Sequence, residues 1–393
     1  MDFAESPEHE MLRAAVAGIG RQFGHEYYAE RARSGGKVDE LWDAVAAQGF
    51  FAVHLPEEWG GGGGGISELA IVCEELGAQG CPLLLMLVSP GISAEVIAQF
   101  GDDAQRREWL PGLVAGEKVV FAITEPDAGS NTHNLSTVAT RDGDVWRLNG
   151  RKTYISGVDE ARAILVVART GTDDTGRGRL SMFVVDADAP GLERQPIPVE
   201  VRAPEKQFLL FFDNVEVPAD RLIGAEGDGL RQVFRGLNPE RILGAALCNG
   251  ISRYALERAA AYANEREVWG VPIGRHQGVA HPLAIAKVEV ELARLMTQKA
   301  AWLHDHGHEH ADTDDRGRKV AGEAANMAKY AAAEAGMHAL DAAIQTHGGN
   351  GMATEYGLAD LWGLVRLLRI APVSREMILN FVAQQSLGLP KSY

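Results

Sequence analysis

The spacing of hydrophobic residues changes twice along this chain and divides it into three segments. In residues 1–116 apolar positions recur at helical spacing, and Ser6 followed by Pro7 is typical of a helix N-terminus. Residues 117–226 contain short β-type runs separated by turn residues. Residues 227–393 return to helical spacing. The pattern therefore predicts helices, then strands, then helices again.

The β-type runs also indicate how the middle segment is connected. No helical pattern lies between them, which excludes parallel βαβ units and predicts an antiparallel barrel or sandwich. In the last segment one apolar stripe recurs every three or four residues, as in a bundle helix: Leu283, Ala286, Val290, Ala293, Met296 and Ala300. We predict an α+β fold with an N-terminal helical domain, a middle antiparallel β domain and a C-terminal four-helix bundle.

Composition and charge narrow the classes of partner. The net charge of -16 argues against nucleic acid, because binding to phosphates requires clustered Lys and Arg. No apolar run approaches the roughly 18 residues of a membrane helix, and the acidic N-terminus does not resemble a signal peptide. The three cysteines form no CxxC motif, which favours reduced thiols. We expect a cytoplasmic protein with neither a nucleic-acid nor a membrane partner.

Two segments of unusual composition have simple interpretations. The six glycines of Gly60–Gly65 lack the Lys and Ser/Thr of a phosphate-binding loop, so we predict a flexible loop before a helix that begins at Ile66. The histidines of His304–Asp315 match no zinc motif, and the run is acidic and polar. We predict a solvated loop between two helices there, and no metal site.

Motifs of the common enzyme classes do not occur in the chain. The segment nearest to a dinucleotide fingerprint, Gly224–Gly229, has the wrong spacing and carries Glu226 and Asp228 where a pyrophosphate would lie. Neither GxSxG nor HExxH is found. The informative segment is Phe121–Ser130, which follows a strand and exposes backbone N–H groups and hydroxyls. Taken alone, this segment is an ordinary polar loop whose ligand cannot be named.

Five blocks together resemble the signature of the acyl-CoA dehydrogenase family. In order along the chain they are Phe121–Ser130, Leu148–Ser156, Phe211–Pro218, Glu265–Gly270 with His276 and Gln277, and Gln345–Gly351. Their order and separations match over essentially the whole chain, and the predicted helix, strand, helix order is also that family's architecture. The resemblance implies FAD as cofactor, an acyl-CoA substrate oxidised to the trans-2-enoyl-CoA, and an electron-transfer flavoprotein or similar acceptor.

The resemblance also implies two groups of cofactor-binding residues. One group would lie against the flavin, with Ser130 also near the substrate: Phe121, Ile123, Thr124, Gly129, Ser130, Tyr154, Ser156, Ser374 and Glu376. The other group would hold the pyrophosphate and adenosine, partly across a subunit boundary: Arg266, Trp269, Gln277, Gln345, Gly348 and Gly349. Sharing of this kind implies a homo-oligomer, a tetramer or a dimer.

The catalytic base is where the chain departs from the common family pattern. Many members carry this base as Glu in a C-terminal Glu-Gly-Thr, but an ungapped alignment places Pro372 and Val373 there. Neither residue can act as a base, and Pro372 lacks the N–H that would polarise the thioester carbonyl. The isovaleryl and long-chain branches carry the base on a helix, and Gly236–Leu243 resembles that site. The resemblance therefore makes Glu240 the base that removes the α-proton.

Several alternatives stay open from the sequence. The same resemblance places Asn238 and Arg241 on the substrate side, but Asn238 could instead cap a helix that has Glu240 in its first turn. Glu376 is a competing base. The enzyme could also be a flavin oxidase or monooxygenase or an enoyl-CoA reductase, or the protein could bind acyl-CoA without turnover. The helix-borne base favours branched or long acyl chains.

Overall fold

The computed structural model describes residues 5–174, 176–306 and 314–391. The first helices are α1 (Pro7–Ser34), α2 (Asp39–Ala47), α3 (Ile66–Ala78), α4 (Leu85–Val88), α5 (Glu95–Phe100) and α6 (Asp103–Val114), with a π-helical turn over Ser89–Ala94. Ser6 caps α1 as predicted, because its hydroxyl accepts a hydrogen bond of 3.2 Å from the His9 amide. The start of α3 at Ile66 is also as predicted.

The six-glycine segment before α3 is packed rather than flexible, so that prediction is wrong. The amide of Gly62 donates to the Ala52 carbonyl at 2.9 Å. A Cβ on Gly61 would overlap the Leu55 carbonyl oxygen. Glycine is required here because the two backbone segments approach more closely than any side chain permits.

Eight strands form the middle sheet. They are β1 (Val119–Ala122), β2 (Val138–Asp142), β3 (Val145–Ser156), β4 (Ala163–Thr172), β5 (Gly178–Asp186), β6 (Leu192–Ile197), β7 (Gln207–Pro218) and β8 (Leu222–Ile223). The strand order is β6-β7-β3-β2-β4-β5-β8, with β1 beside β4. The β-type runs predicted from the sequence in residues 117–226 all form strands.

The sheet is mixed, which corrects the prediction of a purely antiparallel one. Most pairs are antiparallel, but β1 runs parallel to β4, with Val119 opposite Ala163, and β2 meets β4 in parallel at one residue pair. A parallel pair needs a long crossover, and here the β2–β3 hairpin supplies it in place of a helix. The absence of a helical pattern therefore did not exclude parallel pairing.

Helices return in the last segment. The segment contains α7 (Gly229–Glu265), a hairpin of β9 (Glu267–Val268) and β10 (Val271–Pro272), then α8 (Gln277–His306), α9 (Asp314–His347), α10 (Trp362–Ile370) and α11 (Arg375–Phe381), with a π-helical turn over Val382–Ser386. The described residues of this segment thus contain three long helices and two short ones. Helix α3 packs on α7, where a Cβ on Gly77 would lie 3.2 Å from the Gly250 Cα.

The histidine-containing run between α8 and α9 differs from its prediction at its beginning. Helix α8 continues through His306, so the first residues of the run are helical. Asp305 caps α3, because its carboxylate accepts from the amides of Ile66 at 2.8 Å and Ser67 at 2.9 Å. Residues 307–313 of the run lie outside the described residues.

Two further observations bear on the sequence predictions. Cys73, Cys81 and Cys248 are buried free thiols. Across the three described ranges, no helix combines the length and the apolar character needed to cross a membrane.

Candidate active site

A buried carboxylate anchors the loop that follows β1. Glu125 is 3% exposed and accepts hydrogen bonds from the Ser136 amide at 2.6 Å and the Thr137 amide at 2.9 Å. The ammonium of Lys152, fully buried on β3, lies 2.9 Å from the same carboxylate. Burial alone would raise the pKa of Glu125, but the charge of Lys152 and these donors lower it to about 2. The ion pair therefore ties the loop to the sheet.

Two predicted cofactor residues take their position from this anchor. Lys152 also donates to the carbonyl of Ile123 at 2.9 Å, and the amide of Thr153 donates to the carbonyl of Thr124 at 2.9 Å. Ile123 and Thr124 are both half-buried. The end of β1 is therefore held against β3 by backbone and side-chain bonds together, and Phe121 lies in the core just before it.

The part of the middle sheet beside this loop is exposed to solvent and carries one aromatic ring. Tyr154 has a φ of 57° and a side chain exposed to 62%, at an irregularity in the β3–β7 pairing. Ser156 follows, and its hydroxyl accepts from the Gln207 amide at 2.9 Å. Ser130 is exposed, and a Cβ on Gly129 would meet nothing within 4 Å. An exposed ring, hydroxyls and free backbone fit the flat isoalloxazine of a flavin.

Glu240 lies in the interior of α7. The helix begins at Gly229 and runs through Asn238 and Pro239, so the interpretation of Glu240 as a first-turn residue is wrong. Pro239 only removes one helical hydrogen bond, and the packed α7 continues past it. Asn238 therefore does not cap a helix start.

The Glu240 carboxyl is half-buried and unpartnered. No hydrogen bond or ion pair joins it to any side chain in the described ranges. Desolvation raises its pKa to about 8, against the opposing charges of Arg241 and Lys329. A half-buried carboxyl with this pKa suits proton abstraction.

Arg241 is buried next to this carboxyl. It is 6% exposed, and its Nη1 donates to the Asn238 side-chain oxygen at 2.8 Å. Its Nε has no partner in the part of the chain that the structure describes. Burial lowers the pKa of Arg241 to about 10 despite the nearby Glu240. Asn238 and Arg241 thus form a small polar cluster around the base candidate.

The loop after α10 lies on the same side of α7. Gly244 is one helical turn after Glu240, and a Cβ there would lie 3.7 Å from Pro372 Cδ. The carbonyl of Val373 accepts a hydrogen bond from Lys329 of α9. The structure therefore brings Glu240 and the Pro372-Val373 position into one region.

Ser374 and Glu376 follow this loop with different surroundings. Ser374 caps α11, since its hydroxyl accepts from the Met377 amide at 3.3 Å. The Glu376 side chain is 72% exposed and lies 3.7 Å from Arg375. An exposed carboxylate beside an arginine is a weaker candidate base than the desolvated Glu240.

The second predicted cofactor group lies at the other end of α7. The hairpin after α7 and the ends of α8 and α9 carry exposed side chains or glycines: Arg266, Trp269, Gln277, Gln345, Gly348 and Gly349. Asn350 joins these ends, donating to the Tyr262 hydroxyl at 3.1 Å. Phe121 packs in one core cluster with Val233 near the start of α7. At 1.5 Å per residue, α7 separates the two groups by roughly 40 Å, so one chain does not bring them together.

Three charged residues of this region were not predicted from the sequence. Glu125 and Lys152 lie inside recognised blocks, but nothing in a block says which charges are buried. Lys329 could have been found from helical periodicity, since it lies among buried alanines of α9 such as Ala325, Ala328 and Ala332.

Three models of one protein family match the chain in succession. The acyl-CoA dehydrogenase N-terminal domain matches residues 6–117, the middle domain residues 120–215 and the C-terminal domain residues 227–387. Acyl-CoA dehydrogenase FadE12 of Mycobacterium tuberculosis is 55% identical over 392 residues, covering 100% of this chain and 99% of the relative.

Solved structures agree with these matches. The glutaryl-coenzyme A dehydrogenase in complex with glutaryl-CoA superposes with a TM-score of 0.91 at 32% identity, covering 100% of this chain and 98% of the other. A chain in the structure of the electron transferring flavoprotein of Acidaminococcus fermentans has a TM-score of 0.91 at 27% identity, with 98% and 100% covered.

The fold and these matches together place the chain in the class of flavin-dependent dehydrogenases. The chain belongs to the acyl-CoA dehydrogenase family, whose members oxidise acyl-CoA thioesters with FAD. The family resemblance, the fold class and the enzyme class predicted from the sequence are confirmed.

Proposed function

We propose that this enzyme carries out α,β-dehydrogenation of an acyl-CoA thioester, with Glu240 as the base. The observation that carries the proposal is the desolvated, unpartnered Glu240 carboxyl, whose pKa is raised to about 8. It lies in the same region as Pro372 and Val373, which cannot take a proton. In the reaction the α-proton moves to a carboxylate oxygen of Glu240, the β-hydrogen leaves as hydride, and the α,β double bond forms.

FAD is the cofactor that the open edge of the middle sheet fits. When bound, FAD supplies the acceptor for the β-hydride. The loop anchored by Glu125 would present its backbone and hydroxyls to the ring, and Tyr154 and Ser156 would border the ring. Ser130 and Asn238 would orient the thioester, and Arg241 would hold the Asn238 side chain in place. Ser374 and Glu376 would contact the flavin from the loop after α10.

Anaerobic titration of the yellow holoenzyme with short, branched and long acyl-CoAs, followed by flavin absorbance, tests the proposal. Bleaching by one class supports dehydrogenation and identifies the acyl group. Fast oxygen consumption after bleaching would indicate an oxidase, and tight acyl-CoA binding without bleaching would indicate a binding protein. As electron acceptor we propose an electron transferring flavoprotein, in view of the similar chain from such a structure.

The pH dependence of the reaction follows from the raised pKa of Glu240. A base acts only when it is deprotonated, so the active fraction grows as pH rises through that pKa. We expect kcat/KM to increase with pH up to a plateau above about 8, since this parameter reports the free enzyme. Steady-state rates from pH 6 to 10 measure the profile. A profile that stays flat across pH 8 would contradict the assignment of Glu240.

A homo-oligomer would complete the cofactor site. Both predicted FAD groups lie on one chain but at opposite ends of α7, so a second copy must supply the adenosine-binding group to each flavin edge. Helix α8 also exposes an apolar stripe with 46% to 62% of each side chain accessible: Ile285, Val288, Leu292, Leu295 and Trp302. A stripe with this heptad-like spacing is typical of a helix packed against a partner helix.

Replacing Leu292 by Glu is expected to dissociate the oligomer, because a carboxylate would be buried in the apolar stripe. Gln298→Glu adds the same charge to an exposed site of α8 outside the stripe and should leave the assembly intact. Analytical ultracentrifugation measures both variants. An assembly that survives in Leu292→Glu would show that the stripe is not the contact.

A further inference from the structure

Lys329 is a buried lysine with few partners. Its side chain is on α9 and the residue is 2% exposed. Its ammonium donates to the backbone carbonyl of Val373. Across the described ranges it has no carboxylate within ion-pair distance. A buried ammonium in this position costs free energy, and burial lowers the pKa of Lys329 to about 8. The residues around Lys329 should therefore explain why a buried charge is retained at this position.

The packing of α7 and α9 places Lys329 near the turn of α7 that follows the base candidate. A Cβ on Gly322 would lie 3.8 Å from the Asn238 side chain, and a Cβ on Gly336 would lie 3.4 Å from Ser252 Oγ. Both contacts advance in the same direction along the two helices, so the helices run parallel. Lys329 is midway between Gly322 and Gly336 and is therefore level with the turn of α7 that follows Glu240.

The loop after α10 completes the connection. Lys329 holds Val373, and the neighbouring Pro372 lies against Gly244, one turn after Glu240 on the same face of α7. Lys329 thus reaches the region of the Glu240 carboxyl from α9, while Arg241 reaches it from α7.

The charged groups around Glu240 are few. Arg241 and Lys329 are the two cations that act on it. Glu376 of α11 and the Cys248 thiol of α7 act on Lys329. Arg369 of α10 is held by Glu334, Arg366 lines a separate cavity, and the segment from Leu85 to Ala94 has no ionisable side chain. Lys329 is therefore the one cation outside α7, among the described residues, whose charge acts on this carboxyl.

We propose that Lys329 is a positioning residue for Glu240: its charge favours the ionised form of the carboxyl, and its bond to Val373 fixes the loop at residues 371–374. The inference rests on the proposed function for its role in catalysis, but the electrostatic coupling is a property of the folded protein. The base candidate of this chain lies on α7 and not in the loop after α10. Lys329 supplies a positive charge near it from α9. In this chain Pro372 brings no charge of its own to that region.

The first test does not use turnover. Because the pKa of Glu240 is raised on folding, the folded protein binds that proton more tightly than the unfolded chain does. Ionisation of Glu240 therefore destabilises the folded protein, and this destabilisation grows as pH rises from the ordinary pKa of a glutamate to about 8. The gain in stability from Glu240→Gln, measured by urea unfolding of the holoenzyme, should grow across that window and level off at its upper limit, at about pH 8.

In the Lys329→Met background this upper limit should move upwards by about one pH unit, because the nearby cation is gone. In Lys329→Arg, which keeps the charge, it should stay near the wild-type value. An unchanged upper limit in Lys329→Met overturns the inference. If that variant loses FAD or fails to fold, Lys329→Gln, which keeps a donor for Val373, takes its place with the same expected shift.

The second test measures catalysis. The pH profile of anaerobic flavin bleaching should move upwards by about one unit in Lys329→Met, so that the rate near pH 7 falls about tenfold. A loop that is only misplaced would change KM and leave the pH midpoint where it was, which would overturn the charge role. If no acyl-CoA bleaches the wild-type enzyme, the proposed function fails, while the pH at which the stability gain levels off still decides the coupling between Lys329 and Glu240.

Discussion

Replacing Glu240 by Gln is expected to slow flavin reduction by bound acyl-CoA by about 10²–10⁴-fold, the range over which a general base contributes. Gln has the same shape as Glu, so the packing around Arg241 and α7 should be retained. It cannot accept the α-proton. Anaerobic stopped-flow absorbance measures the rate of flavin bleaching, and the spectral shift on mixing shows whether acyl-CoA still binds.

Glu376→Gln is the matched control, because Glu376 is the competing base in the sequence. Because we place Glu376 against the flavin, its loss is expected to lower FAD occupancy. Its side chain is 72% exposed and lies beside Arg375, so the bleaching rate per bound flavin should fall far less than in Glu240→Gln. If Glu376→Gln abolishes bleaching and Glu240→Gln does not, the two assignments are exchanged. Equal, large losses in both would instead indicate that each carboxylate positions the substrate.

The second large effect is expected at the anchor of the flavin loop. Lys152→Met leaves the Glu125 carboxylate buried without its cation, and breaking one side of a buried ion pair costs about 3–5 kcal/mol. We expect a lower free energy of unfolding together with loss of FAD, since Lys152 also holds the Ile123 carbonyl. Urea unfolding and the ratio of flavin to protein absorbance after gel filtration measure the two effects.

A control and a rescue make this prediction specific. Lys206 forms a partly exposed pair with Asp159 at 3.6 Å, and Lys206→Met should cost only about 0–1 kcal/mol. Adding Glu125→Gln to Lys152→Met removes the isolated charge and should recover part of the lost stability. Full FAD retention in Lys152→Met alone would show that the loop does not depend on this pair.

Much of the fold could be predicted from the sequence because hydrophobic spacing reports which side chains face a core. The N-terminus of α1 at Pro7 and the start of α3 at Ile66 follow from local signals that tertiary packing did not override. The direction of strand pairing could not be predicted in this way. The parallel pairing of β1 with β4 depends on where the β2–β3 hairpin lies in space, and no local pattern encodes that.

The site was predictable only as far as motifs identify side chains. The blocks indicated Tyr154 and the loop after β1, and the resemblance of Gly236–Leu243 to a helix-borne base site indicated Glu240. The roles of all of them stay proposals. What the sequence could not indicate is the partner of a buried charge. Periodicity marks Lys329 as inward-facing, but nothing local identifies the group that binds it or Lys152. Their free energies depend on residues distant in sequence, Glu125 in one case and the Val373 carbonyl in the other.

The position of Glu240 within α7 illustrates the same limit. Asn followed by Pro is a good local signal for a helix start, yet the helix begins at Gly229. Close packing of α7 against its neighbours outweighs the one hydrogen bond that Pro239 removes, so the local signal has no effect here.

The glycine segment before α3 has a consequence for how the gene can be altered. A side chain at Gly61 would collide with the Leu55 carbonyl, and one at Gly65 with the Asp305 carboxylate that caps α3. Asp305 belongs to α8, so the collision at Gly65 would separate elements 240 residues apart in sequence. In a library of random substitutions, a run that looks like a dispensable spacer would therefore be among the regions most depleted of variants.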